Sequence, residues 1–279
     1  MISKTIKLAY EFDQLNIRGS EATLTCYLPD LAREIPQLIR PSILIVPGGG
    51  YDFCSQREGE PVALQFLAKG FNAYVLEYST QSKVNRRFPS QLFEAMSALQ
   101  YIKNTVKDYA GDPSKIHVMG FSAGGHLAGS LAYMGVLPKF ITELGLPSDS
   151  DMSIQSVALI YPVISTNVST HARSFENIQT EKYPKEMLAL EQYVTEKSPA
   201  LFAISSSDDG SVPVANTLLI IQTYAKLKKP FELHIYERAF HGFSLANDLV
   251  STPEVVRGID KHVPEWVTLC QDFMLRQGR

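Results

Sequence analysis

One stretch constrains the whole chain. After the turn-like Gly111-Asp112-Pro113-Ser114, an apolar run from Lys115 to Met119 passes through Gly120-Phe121-Ser122-Ala123-Gly124 and enters a small-residue segment, Ala123 to Ala132. The order predicts strand, tight turn and helix, the context that a nucleophile elbow requires. A residue turned that sharply takes strained backbone angles, and flanking glycines let neighbouring backbone approach where a Cβ would collide. The Ser122 hydroxyl is then held out at the C-terminal end of the strand, and the helix N-terminus behind it adds positive potential. A tight glycine turn with an incidental serine would read the same over five residues. The rest of the chain decides between the two.

Ser42–Val46, Ala73–Leu76, Val157–Tyr161 and Leu201–Ile204 are short apolar runs, the mark of strands buried on both faces, and Phe231–Tyr236 reads as the last strand. Helical spacing separates them. One helix is expected from Glu60-Pro61, with Val62, Ala63, Phe66 and Leu67 inward and Gly70 as its stop. Others are expected over Pro89–Lys107 and Val214–Leu227, and Val263, Trp266, Val267, Cys270, Phe273 and Met274 form a C-terminal helical stripe. This alternation predicts an α/β fold with a mostly parallel central sheet and helices on both faces, in a single domain over 1–279. Ile6–Phe12 and Ala22–Leu28 predict two strands of an antiparallel edge. Segments 134–153 and 165–197 are expected to be short cover insertions, the second lying over the sheet edge.

Composition narrows the function classes. With 45% hydrophobic and 20% charged residues over 279 positions, the chain has the make-up of an ordinary globular protein. A net charge of −3 leaves no electrostatic footprint for nucleic acid or an anionic membrane. No apolar stretch reaches the length of a membrane span. Met1–Lys7 is interrupted by charge and no apolar core follows, so no secretory leader is expected. Cys26, Cys54 and Cys270 are odd in number and lack metal-ligand spacing. They suit a reducing cytoplasm, and neither a metal nor a cofactor is expected.

Parallel sheets place their chemistry beyond the C-terminal ends of the strands, here after Val46, Met119, Ile204 and Tyr236. A serine hydroxyl needs a base. Of six histidines, His117 and His234 lie within strands, His126 is one turn behind Ser122, and His262 precedes a helix and is expected to face solvent. His171 lies in the 165–197 insertion, where it could touch substrate but has no rigid support. His241 follows the last strand in Phe240-His241-Gly242, where an imidazole can swing back over the sheet, and it is the candidate base. The carboxylate that orients it belongs after the preceding strand, where Asp208 and Asp209 both stand. Asp209 opens Asp-Gly-Ser-Val-Pro and is favoured; Asp208 is the alternative, otherwise a turn-capping neighbour. The N–H of Ala123 and those of the Gly48-Gly49-Gly50 turn are candidate oxyanion donors. Those glycines lack the Lys-Ser/Thr and the G-x-G-x-x-G spacing of nucleotide sites. Tyr51 and Phe53 are expected to line the substrate pocket.

Pro47-Gly-Gly-Gly-Tyr51, Gly120-Phe-Ser-Ala-Gly-Gly-His126, Asp209-Gly-Ser-Val-Pro213 and His241-Gly242, in this order, resemble the α/β-hydrolase superfamily. More narrowly they are similar to the acetyl-xylan-esterase-like, BD-FAE-type carboxylesterases of the lipase/esterase branch. Arg57-Glu58-Gly59-Glu60-Pro61, Asp112–Ile116 and Tyr161–Ile164 fit as well, and the likeness runs from about residue 40 to the C-terminus. The resemblance implies an α/β-hydrolase fold, a Ser122-Asp209-His241 triad, and oxyanion donors at Gly49, Gly50 and Ala123. One departure stands out: Pro47 replaces the histidine of the lipase branch, so the hydrogen bonding behind that loop must differ. The expected activity is hydrolysis of short-chain acyl esters, acetylated carbohydrates among them, with a small-molecule ester as the partner. Amide or peptide hydrolysis on the same scaffold, and a non-catalytic binding protein, are the alternatives.

Overall fold

The computed structural model describes residues 1–31, 34–35 and 37–277. The expectation of one domain over 1–279 thus takes in positions 32, 33, 36, 278 and 279, which lie outside the described residues. Among the described residues, eight strands form one sheet. They are β1 (Ile2–Lys7), β2 (Thr23–Leu28), β3 (Arg40–Val46), β4 (Asn72–Glu77), β5 (Gly111–Phe121), β6 (Ser156–Ile160), β7 (Ala200–Ser206) and β8 (Phe231–Tyr236). In space they run β1-β2-β4-β3-β5-β6-β7-β8. The β1–β2 and β2–β4 pairs are antiparallel and all the others parallel. The mostly parallel sheet with an antiparallel edge is therefore as the residue pattern predicts.

The helices are α1 (Leu8–Glu11), α2 (Glu60–Ala68), α3 (Ser90–Thr105), α4 (Ser122–Tyr133) and α5 (Pro138–Leu144), then α6 (Ala172–Ile178), α7 (Ala215–Lys226), α8 (Pro253–Arg257) and α9 (Trp266–Arg276). They bury both faces of the sheet. Leu44 and Val46 of β3 share a core with Val118, Leu159 and residues of α3, α4 and α7. Ile43 and Ile45 point the other way, into a core with Met119, Ala158 and residues of α2 and α9. Successive strand side chains face opposite sides, so a strand covered on both must be apolar throughout. Among the described residues no helix is long and apolar enough to cross a membrane.

Two expectations need correction. The first strand ends at Lys7, and Leu8–Glu11 is a helical turn rather than part of a strand through Phe12. In a strand Leu8, Tyr10 and Phe12 would share a face; the turn buries Leu8 and Phe12 and leaves Tyr10 81% exposed. The Gly111–Ser114 turn lies inside β5, where Arg40 pairs with Gly111 but Ser42 with Ile116. Asp112 accepts hydrogen bonds from the Ser114 N–H and hydroxyl across that irregularity.

Candidate active site

The elbow is built by close approach. Ser122 begins α4 directly after β5 with φ of +51°, a left-handed value that costs a non-glycine residue about 1–3 kcal/mol. The Ser122 carbonyl accepts the Val163 N–H at 3.0 Å, which helps to hold that conformation. A Cβ on Gly124 would lie 2.2 Å from the Pro47 carbonyl oxygen and 2.3 Å from that of Val46. Neither backbone atom can yield without moving the end of β3. Gly124→Ala is therefore expected to destabilise the fold by more than the roughly 1–3 kcal/mol typical of overpacking, with activity lost in parallel. Chemical denaturation measures it, and a wild-type midpoint would contradict the stated geometry.

Three loop ends converge on Ser122. Its Oγ lies 2.8 Å from His241 Nε2, and His241 Nδ1 lies 2.7 Å from Asp209 Oδ2. With Nδ1–H donating to the carboxylate, Nε2 is left to accept the serine proton. The other Asp209 oxygen accepts the Ser211 and Val212 N–H groups at 2.9 and 2.8 Å, and the Asp209 side chain is fully buried. Asp208 faces elsewhere. Its Oδ1 accepts the N–H groups of Phe240 (2.8 Å) and Ala239 (3.2 Å) and the Ser206 hydroxyl, so it tethers the backbone that leads into His241. Burial alone would raise the Asp208 pKa; the three donors outweigh it and hold the carboxyl below the usual aspartate value.

The glycine turn after β3 faces the same point. Gly49 has φ of +124°, and a Cβ there would sit 2.1 Å from the Phe53 carbonyl oxygen, so no other residue fits. The Gly49 carbonyl accepts from Asp52 and Phe53, whereas the N–H groups of Gly49 and Gly50 have no acceptor among the described residues. The Ala123 N–H belongs to the first turn of α4, where helix N–H groups lack intrahelical partners. Behind the turn, two hydrogen bonds hold the Pro47–Gly48 peptide. The Tyr78 hydroxyl donates to the Pro47 carbonyl at 2.9 Å, and the Gly48 N–H donates to Glu58 at 2.8 Å.

A cleft of about 460 Å³ opens over these groups, with Phe53, Arg57, His171, Arg173 and Ser211 in its walls. Tyr51 does not line it, contrary to expectation. The ring is 2% exposed and its hydroxyl bonds His126 Nδ1 at 2.8 Å, which draws it under the turn and away from the cleft. Segment 134–153 does not line it either; Phe140 of α5 packs against Phe88 and Tyr183 instead. The 165–197 segment does reach the cleft, and His171 has the support it was expected to lack. Its Nδ1 bonds the Ser174 hydroxyl at 2.9 Å, while Asn177 of the same helix donates to the Gly50 carbonyl at 2.8 Å. Burial, and then the nearby His241 and Arg173, lower the His171 pKa and favour the neutral ring. His126 bonds the Tyr51 hydroxyl and the Leu188 carbonyl in place of Ser122, and His262 is exposed, as expected. Among the described residues no group of three or more His, Cys, Asp or Glu side chains could hold a metal ion.

Glu58 and Asn177 were not anticipated by the spacing of motifs. Glu58 lay within a noted stretch, but nothing local distinguishes a buried glutamate from a solvated one.

Comparison with known proteins agrees with this architecture. The BD-FAE family model matches residues 26–223. Endo-1,4-beta-xylanase B of Butyrivibrio fibrisolvens is 35% identical over 218 residues, 75% of this chain and 33% of that protein. MGS-M1, an alpha/beta hydrolase enzyme from a Medee basin deep-sea metagenome library, is 34% identical with a TM-score of 0.74, covering 98% of this chain and 96% of its own. The acetyl ester-xyloside bifunctional hydrolase of Caldicellulosiruptor lactoaceticus is 30% identical with a TM-score of 0.81, covering 98% and 95%. Against three curated relatives the chain spans 33%, 44% and 57% of their length. With the family model covering most of the chain and the sheet, elbow and loops arranged as described, the chain belongs to the BD-FAE family and has the α/β-hydrolase fold.

Proposed function

We propose that this chain is a serine carboxylesterase that removes short acyl groups, acetyl from carbohydrate among them. The observation that carries the reading is the unbroken Ser122–His241–Asp209 hydrogen-bond chain beneath a cleft edged by the free N–H groups of Gly49 and Gly50. Ser122 Oγ attacks the ester carbonyl carbon while His241 Nε2 takes its proton. Asp209 keeps the imidazole in the right tautomer and stabilises the imidazolium that forms. Gly49, Gly50 and Ala123 N–H groups stabilise the oxyanion. His241 then returns the proton to the departing alcohol, leaving an acyl-serine. Water, deprotonated by the same histidine, releases the acid and restores Ser122.

The cleft walls favour a hydroxylated leaving group. Arg57, His171, Arg173 and Ser211 offer hydrogen bonds in place of the apolar tunnel that a long acyl chain would need. The test compares p-nitrophenyl esters of graded length with acetylated xylose oligomers and an anilide. Acetate to butyrate is expected to give kcat/KM about tenfold or more above octanoate, a discrimination equal to about 1.4 kcal/mol. An octanoate preference, or anilide turnover exceeding ester turnover, would reject the substrate class. We read 1–279 as one domain, since strands from Ile2 to Tyr236 share a sheet on which α9 packs. The three free cysteines support placing it in the cytoplasm, which cell fractionation tests.

A further inference from the structure

Arg57-Glu58-Gly59-Glu60-Pro61 supplies none of the reacting groups above, yet next to Arg57 in the cleft wall it delivers a carboxylate behind the glycine turn. Glu58 is 3% exposed. Taking a carboxylate out of water is costly unless its oxygens find strong donors. Two are provided: Gly48 N–H reaches Oε2 at 2.8 Å and the Tyr161 hydroxyl reaches Oε1 at 2.7 Å. The same Tyr161 oxygen accepts the Ser244 N–H at 3.0 Å, three residues past His241, and the Ser244 hydroxyl donates to the Arg57 carbonyl at 2.6 Å. The Tyr161 ring stands edge-on to the His241 imidazole, with centroids 5.1 Å apart.

The Pro47–Gly48 peptide is thus held at both ends. Its carbonyl takes the Tyr78 hydroxyl and its N–H goes to Glu58, which locks the plane from which the Gly49 and Gly50 N–H groups follow. There is little room for that peptide elsewhere. A Cβ on Gly48 would lie 2.8 Å from Glu58 Oε2 and 3.0 Å from Ser122 Cβ. Tyr161 reaches Glu58 from a left-handed backbone, φ +37°, a strain that a bulky residue keeps only where its surroundings impose it. An apolar side chain of equal size would fill the same space without the desolvation cost. What it could not supply is a fixed direction for the Gly48 N–H.

We propose that Glu58 is a positioning residue. It clamps the Pro47–Gly48 peptide and, through Tyr161, the loop carrying His241, so that the Gly49 and Gly50 N–H groups and the imidazole converge above Ser122 Oγ. The inference rests on the Ser122-centred hydrolysis proposed above. Full-length wild type, Glu58→Gln, Tyr161→Phe and the double variant are compared with p-nitrophenyl acetate and a fluorophosphonate probe. Glu58→Gln keeps the volume but turns an amide N–H₂ toward one of the two donors. It is expected to lower kcat about ten- to a hundredfold with KM within about threefold, because displaced oxyanion donors act on the transition state. Labelling of Ser122 slows in step. Tyr161→Phe loses only the hydroxyl and lowers kcat by about three- to tenfold. The double variant matches Glu58→Gln within about twofold, as coupled groups in one network do. Wild-type kcat in folded Glu58→Gln, or in Tyr161→Phe where the first does not fold, overturns the proposal, as does a loss carried by KM alone. Wild type that is not labelled at Ser122 overturns the hydrolase reading itself, before any variant is compared.

Discussion

Ser122→Ala gives a folded protein whose turnover of a short-chain ester is lower by about six orders of magnitude, the loss that removal of a triad nucleophile produces in other serine hydrolases. The substitution deletes one oxygen whose side-chain partner is His241 Nε2. It opens no sizeable cavity and leaves the φ of +51° to be borne by alanine, a Cβ-bearing residue as before. Stability should therefore stay within about 1 kcal/mol of wild type, so the activity loss is not an unfolding effect. A fluorophosphonate labels wild type at Ser122 and leaves the variant unlabelled. Modification of a different serine, or substantial esterase activity in the variant, would show that the elbow is structural only.

The second large effect is on the acid. Asp209→Asn is expected to reduce turnover by about four orders of magnitude. One Asp209 oxygen already accepts two backbone N–H groups, so the asparagine oxygen must take that place and the N–H₂ must point at His241. Facing a donor, Nδ1 gives up its proton to Nε2, and Nε2 can no longer accept the proton of Ser122. Asp208→Asn behaves differently. Its oxygen still accepts the Phe240 and Ala239 N–H groups, so turnover should fall by less than about tenfold. Steady-state kinetics of the two variants give the ranking, and the opposite order would transfer the role to Asp208. The lowered Asp208 pKa carries a sign as well. Its contribution to stability is present above the unfolded value of 3.8 and is lost as pH falls through the lower folded value.

What the amino-acid order determined by itself is whatever a short window encodes. Ile43–Val46 and Val157–Ile160 are apolar at every position, as a strand covered on both faces requires, so the buried strands of the sheet were legible from the residue pattern alone. The elbow was legible for the same reason, since strand, turn and helix follow one another without a break from Lys115 to Ala132. His241 and the Asp208-Asp209 pair followed from chain order once the strands were placed. The tertiary structure decided what depends on distant partners. Whether Asp208 or Asp209 meets the imidazole is set by a contact across 32 residues. Tyr51 turns inward because His126, 75 residues on, accepts it there. Glu58 is buried because Tyr161, 103 residues on, supplies a donor. Periodicity and turn chemistry report on backbone and burial, but the direction of a loop side chain is fixed by whichever donor or acceptor the finished fold brings within about 3 Å of it.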